Sequence, residues 1–139
     1  MSSAPPTSGE DALRILLVDD EPTNLDLLRH VLDGQGYRLF VAKNGEDALK
    51  VARKMRPRLV LLDVMMPGID GFETCRRLRA DPETSDAAVI FLSALDNEKD
   101  KLRGLEAGAI DFITKPFQGA QVITLVAKHL AVHRPPPGP

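Results

Sequence analysis

The sequence contains a single cysteine, Cys75, among its 139 residues. An internal disulfide and a cysteine-built metal site are therefore excluded. An excess of either charge is also missing. Eighteen basic side chains face 20 acidic ones for a formal net charge of −2, which leaves no strong electrostatic case for direct binding of nucleic acid. No apolar stretch approaches the ~20 residues of a membrane span. The first residues lack the charged-then-apolar order of a signal peptide. No internal repeat is present. What is there is 43% hydrophobic and 27% charged residues, the balance of an ordinary soluble domain. A chain of this length buries roughly 70% of its unfolded surface, enough for one real core. The expectation is a single soluble, cytoplasmic domain with no membrane contact.

Both ends read as tails. Residues 1–11, beginning MSSAPPTSGE, have almost nothing to bury and are expected to be disordered. Residues 133–139, HRPPPGP, carry three successive prolines that cannot continue a helix, and suit a Pro-rich tail or a linker. The folded domain is expected over 12–132.

Within it two kinds of segment alternate. Residues 15–18, 59–62 and 88–92 are short, continuous apolar runs, as in parallel strands buried on both faces. Residues 37–42 and 110–114 include Arg38, Asp111 and Thr114 and suit edge strands. Helical patterns fill the gaps. Pro22 fits a first helical position, with Leu25, Leu28 and Leu32 following at helical spacing and Gly34 as the stop. Asn44 can cap a second helix that buries Ala48, Ala52 and Met55. A third starts near Asp70, turns Phe72, Cys75 and Leu78 inward, and ends before Asp81-Pro82. Asp96 can cap a fourth, which carries Leu102 and Leu105 and ends at Gly108. Val122, Leu125, Val126, His129 and Leu130 stripe a fifth. Strand and helix alternate five times, which implies a parallel sheet covered on both faces.

Ligands of such a sheet bind at the carboxyl ends of its strands. Asp19, Asp20 and Glu21 follow the first run, Asp63 the third, Ser93 the fourth and Lys115 the fifth. Glu21 also suits a helix N-terminus and is left outside the inner set. Free aspartates are ionised at neutral pH, and two such charges about 4 Å apart repel by roughly 4 kcal/mol at an effective dielectric of about 20. A hard divalent cation offsets that repulsion; Mg²⁺ takes one or two carboxylates with waters and phosphate oxygens. Lys115 suits a phosphate oxygen, Ser93 can donate to the same group, and one carboxylate can act as a nucleophile. Taken singly, each residue is ordinary turn or surface chemistry; their agreement at four strand ends carries the reading.

These residues resemble the receiver domain of response regulators in two-component signalling. The likeness lies in Leu17-Val18-Asp19-Asp20-Glu21-Pro22, in Leu62-Asp63-Val64-Met65-Met66-Pro67-Gly68-Ile69-Asp70-Gly71, in Ser93-Ala94 and in Lys115-Pro116-Phe117. It implies an α/β, flavodoxin-like, doubly wound sheet of five parallel strands in the order 2-1-3-4-5 with five helices. It implies that Asp63 accepts a phosphoryl group from a sensor histidine kinase or a histidine phosphotransfer protein, which changes affinity for an output partner. Asp20, Asp63 and the main-chain carbonyl of Met65 would bind Mg²⁺ directly, and Asp19 mostly through water. Lys115 would hold a phosphoryl oxygen. Ser93 would turn toward the phosphoryl group, and Phe112 falls at the family's aromatic switch, where many members have a tyrosine hydroxyl that Phe lacks. The bond Lys115-Pro116 would be cis. Such a domain is a phosphoacceptor and not an enzyme. Its self-dephosphorylation is expected to be slow, because Met65 and Leu95 would flank the attacking water and neither holds a water well.

Other readings lack their residues. Aspartate-based phosphohydrolases usually place a second Asp two positions after the nucleophile, where this chain has Met65. Gly34-Gln35-Gly36 follows a helix and lacks the third glycine of a dinucleotide loop. Arg76, Arg77 and Arg79 read as a solvated helix face. His129 and His133 are spaced to share a metal, but no third ligand accompanies them and a plain helix end is favoured. The remaining alternatives are a constitutive binding module with the same fold and a fragment of a longer multidomain regulator.

Overall fold

The computed structural model describes residues 13–94 and 98–132. The expected tails, Leu95, Asp96 and His133 lie outside the described residues. The elements run β1 (Leu13–Val18), α1 (Pro22–Leu32), β2 (Tyr37–Ala42), α2 (Gly45–Met55), β3 (Leu59–Asp63), α3 (Gly71–Ala80), β4 (Ala88–Ser93), α4 (Glu98–Ala107), β5 (Asp111–Thr114) and α5 (Gly119–Val132). The strands form one sheet in the order β2-β1-β3-β4-β5, and every neighbouring pair is parallel.

The alternation of side chains along a strand divides the core in two. Leu16, Val18, Val60, Leu62, Val89 and Phe91 point to the face covered by α2, α3 and α4. Ile15, Leu17, Leu59, Leu61, Ile90 and Leu92 point to the face covered by α1 and α5. The three central strands are thus apolar at successive positions because both of their faces are covered, while β2 and β5 lie at the edges with exposed or half-buried residues. β3 and β4 each extend one residue past the apolar run, so Asp63 and Ser93 are themselves the last strand residues.

The caps follow local chemistry. Asn44 Oδ1 accepts the Asp47 N–H at 2.8 Å, and Asp70 Oδ1 accepts the Glu73 N–H at 2.9 Å. Pro22 opens α1, and Gly34, at φ +82°, follows its end.

Four expectations are corrected. Met55 is half-buried. Leu102 and Leu105, the apolar marks of the fourth helix, are 56% and 54% exposed. α4 instead turns Gly104 and Ala107 inward, because it lies so close that a Cβ on Gly104 would overlap the Phe112 ring. Arg79 does not share the solvated face of Arg76 and Arg77, which pair with Glu73. Its guanidinium binds the carbonyls of Gly108 (3.0 and 3.1 Å), Ser85 (2.8 Å) and Ala87, tying α3 to the starts of β4 and β5. His129 is not a bare helix end: its Nε2 lies 2.8 Å from Asp111 Oδ2, pinning α5 to β5.

Candidate functional site

The carboxyl ends of β1, β3, β4 and β5 meet at one rim. Asp19 continues β1 and its N–H donates to the Ala42 carbonyl at 3.2 Å. Beyond β3, the Val64 N–H donates to the Leu92 carbonyl at 3.1 Å, and beyond β5 the Lys115 N–H donates to the Ser93 carbonyl at 2.8 Å. The sheet ladder therefore runs on into the loops that carry the polar groups. Gly71 brings the start of α3 against the same place. Its N–H donates to the Val64 carbonyl at 2.8 Å, and a Cβ there would stand 2.7 Å from the Val64 Cα.

Asp19, Asp20 and Asp63 each offer a carboxylate oxygen, all within 4.8 Å of one another. Asp19 and Asp63 are buried and Asp20 is half-buried. Asp19 divides its oxygens: Oδ1 accepts the Glu21 N–H at 3.0 Å, and Oδ2 lies 3.1 Å from Lys115 Nζ. Lys115 Nζ also lies 3.1 Å from Asp63 Oδ1, which the Met65 N–H approaches at 3.4 Å. Burial, and then the negative charge of Asp19, raise the Asp63 carboxyl to about 6; Lys115 and the Met65 N–H oppose the rise without cancelling it. Burial works against the charge on Lys115, but hydrogen bonds to Asp63 and Asp19 outweigh it and hold the ammonium above its ordinary value. The pocket thus has more negative charge than its one lysine balances. That imbalance suits a hard divalent cation held by oxygen ligands.

Asp19, Asp20, Asp63 and Lys115 are brought together as the sequence suggests, and Ser93 is buried at the adjacent strand end. Phe112 belongs to a different cluster. Its ring packs on Phe91 with centroids 5.4 Å apart, Phe91 meets Phe72 edge-on at 5.2 Å, and the Arg103 guanidinium lies 4.2 Å over Phe72. Lys115-Pro116 is cis. Glu21 stands at the N-cap of α1 with its side chain exposed, and only its main-chain N–H reaches Asp19. Gly104, which lets α4 approach the Phe112 ring, was not singled out from the sequence, although a glycine inside a helical pattern is a signal of close approach.

The profile of the response regulator receiver domain matches residues 15–127. The chain belongs to the receiver-domain family. The response regulator PleD of Caulobacter vibrioides is 44% identical over 113 residues, 81% of this chain and 25% of PleD, so the chain spans about a quarter of that relative's length. The protein PilH of Pseudomonas aeruginosa is 40% identical over 118 residues, 85% of this chain and 98% of PilH. The crystal structure of the signal receiver domain of a signal transduction histidine kinase from Syntrophus aciditrophicus superposes with a TM-score of 0.81 at 36% identity, covering 92% of this chain and 97% of that one. Receiver domains are signalling domains of two-component systems and not enzymes in the ordinary sense. They generally use Mg²⁺ at an acidic pocket, and they interact with histidine kinases and output partners. Among the described residues no helix is long and apolar enough to cross a membrane.

Proposed function

We propose that Asp63 accepts a phosphoryl group from the phosphohistidine of a sensor kinase or a histidine phosphotransfer protein. In the transfer an Asp63 carboxylate oxygen forms the new bond to phosphorus. The bond from phosphorus to the imidazole nitrogen breaks, and the nitrogen keeps the electron pair. The observation that carries this reading is the buried Asp63 carboxylate held by Lys115 at 3.1 Å among two further aspartates. Such transfers need positioning and charge neutralisation more than covalent help from the protein. Lys115 positions Asp63 and offers an ammonium to a phosphoryl oxygen. Asp19, Asp20, Asp63 and the Met65 carbonyl would hold Mg²⁺, which when bound supplies the positive charge that three carboxylates and a phosphoryl group lack. Asp19 would act mostly through water.

Ser93, buried at the end of β4, would turn its hydroxyl to the phosphoryl group, and Phe112, packed on Phe91, is the aromatic residue whose packing would change with it. A new dianionic group at the strand ends is a local electrostatic event of the kind that biases a two-state element. The result is altered affinity for an output protein, without direct contact with nucleic acid or membrane. The receiver is assigned to 12–132 and works in the cytoplasm. Self-dephosphorylation is slow, since the exposed side chain at position 65 is an apolar Met; its expected companion Leu95 lies outside the described residues. The complete set of three aspartates, Ser93 and Lys115 favours this reading over a constitutive binding module.

The test is labelling by acetyl phosphate or a kinase with Mg²⁺. Wild type should take up an acid-stable, base-labile label, and Asp63→Asn, while folded, should not. Equal labelling of the variant would remove Asp63 from the role.

A further inference from the structure

The sequence has four methionines, Met1, Met55, Met65 and Met66. Met55 is half-buried, Met66 lies in the core, and Met65 is 67% exposed; Met1 lies outside the described residues. Met65 occupies the loop after β3, two residues beyond Asp63, with its N–H 3.4 Å from Asp63 Oδ1. A thioether therefore stands in solvent at the rim of the acidic pocket. The chain's single thiol is shielded. Cys75 is fully buried, its thiol donates to the Ala107 carbonyl at 3.3 Å, and burial pushes it up to about 11, so it offers no thiolate to an oxidant near neutral pH.

We propose that Met65 is a site of reversible oxidation to the sulfoxide, and that this oxidation shortens the lifetime of the phosphoryl group on Asp63. The second half rests on the reading of Asp63 as the acceptor. A peroxide is the oxidant. The sulfur lone pair attacks one peroxide oxygen, an S–O bond forms, the O–O bond breaks, and the second oxygen leaves as water. Sulfur loses the two electrons that the peroxide gains; a methionine sulfoxide reductase supplied with a dithiol reverses the change, the dithiol becoming a disulfide and the oxygen leaving as water. An apolar thioether cannot hold a water. A sulfoxide oxygen is a strong acceptor, and oxidation would place one on the exposed side chain of the residue whose N–H lies 3.4 Å from Asp63 Oδ1. A water held there can be aligned on phosphorus, with its proton directed to that acceptor, as the P–O bond to Asp63 breaks.

The experiment compares the full chain before and after hydrogen peroxide, beside Met65→Leu treated identically. Fragment masses locate the added oxygen, and decay of the label after removal of acetyl phosphate gives the lifetime. Met65 should gain oxygen before Met55 and Met66. Decay of oxidised wild type should quicken by at least about threefold, and the reductase should restore it. Met65→Leu should decay alike with and without peroxide. Met66 oxidising first, or decay unchanged or slowed once Met65 is oxidised, would overturn the proposal. Failure of untreated wild type to take the label would overturn the reading of Asp63 and the second half with it. The mapping of oxidised sulfur needs no phosphoryl group and tests the first half independently.

Discussion

Lys115 stands between two carboxylates that would otherwise face each other across the pocket. Its replacement by Ala leaves both buried and uncompensated, and losing one partner of a buried ion pair costs about 3–5 kcal/mol. In chelator, thermal melts of Lys115→Ala should fall well below wild type, and Mg²⁺ should recover more stability in the variant than in wild type. Equal gains from Mg²⁺ would contradict the electrostatic account. Asp63 sets a pH dependence through its rise from 3.8 to about 6. Below about pH 4 the carboxyl is protonated in the folded and unfolded chain alike, and its contribution is full. As pH rises toward about 6 the unfolded chain releases the proton while the folded protein retains it, so stability from this group is lost across that window. Asp63→Asn cannot ionise. In chelator its stability should equal wild type near pH 4 and exceed it above about pH 6, read as the difference between denaturation midpoints across pH. Much of this site was legible, because Asp19, Asp20, Asp63, Ser93 and Lys115 each stand where an apolar run gives way to a polar group. The double pairing of Lys115 was not, since it joins residues 96 positions apart and only the closed sheet fixes which carboxylates it reaches.

At the scale of elements, α4 depends on a missing side chain. Gly104 faces the Phe112 and Phe91 rings, and an added Cβ would overlap the Phe112 ring. Gly104→Ala should gain about 1 kcal/mol of helix propensity. Overpacking should offset more than that, at about 1–3 kcal/mol. The expected outcome is a lower unfolding midpoint and a displaced Phe112 ring in NMR spectra, whereas Leu105→Gln on the exposed face should stay within about 0.5 kcal/mol of wild type. A stabilised Gly104→Ala would show that α4 moves aside without cost. This helix was the least legible element. Its leucines mark a helix but face solvent, and its inward residues, Gly104 and Ala107, are too small to register as an apolar stripe. The central strands were legible because coverage on both faces demands apolar residues at every position, as in Leu59–Asp63 up to its last residue. Arg79 looked like its neighbours Arg76 and Arg77, because its partners are main-chain carbonyls that leave no mark in a sequence.

For the whole molecule, the acidic rim links ligand binding to folding. A cation that binds only the folded protein raises its stability in proportion to the logarithm of concentration over affinity. Mg²⁺ should therefore raise the melting temperature of wild type, and Asp20→Ala should lose most of that gain; an undiminished gain in the variant would remove Asp20 from the site. On the same side of the sheet as α2, the single thiol offers a way to watch the molecule move. Cys75 is sealed between α3 and the end of α4, where it donates to the Ala107 carbonyl. A bulky thiol reagent can reach it only while those two helices are parted. The rate at which a maleimide attaches to the unaltered protein is thus a stopwatch for that parting, with no label to introduce and no second cysteine to confuse the trace. Slower attachment in Mg²⁺ with beryllofluoride would time how firmly an event at the strand ends holds α3 and α4 together around Cys75.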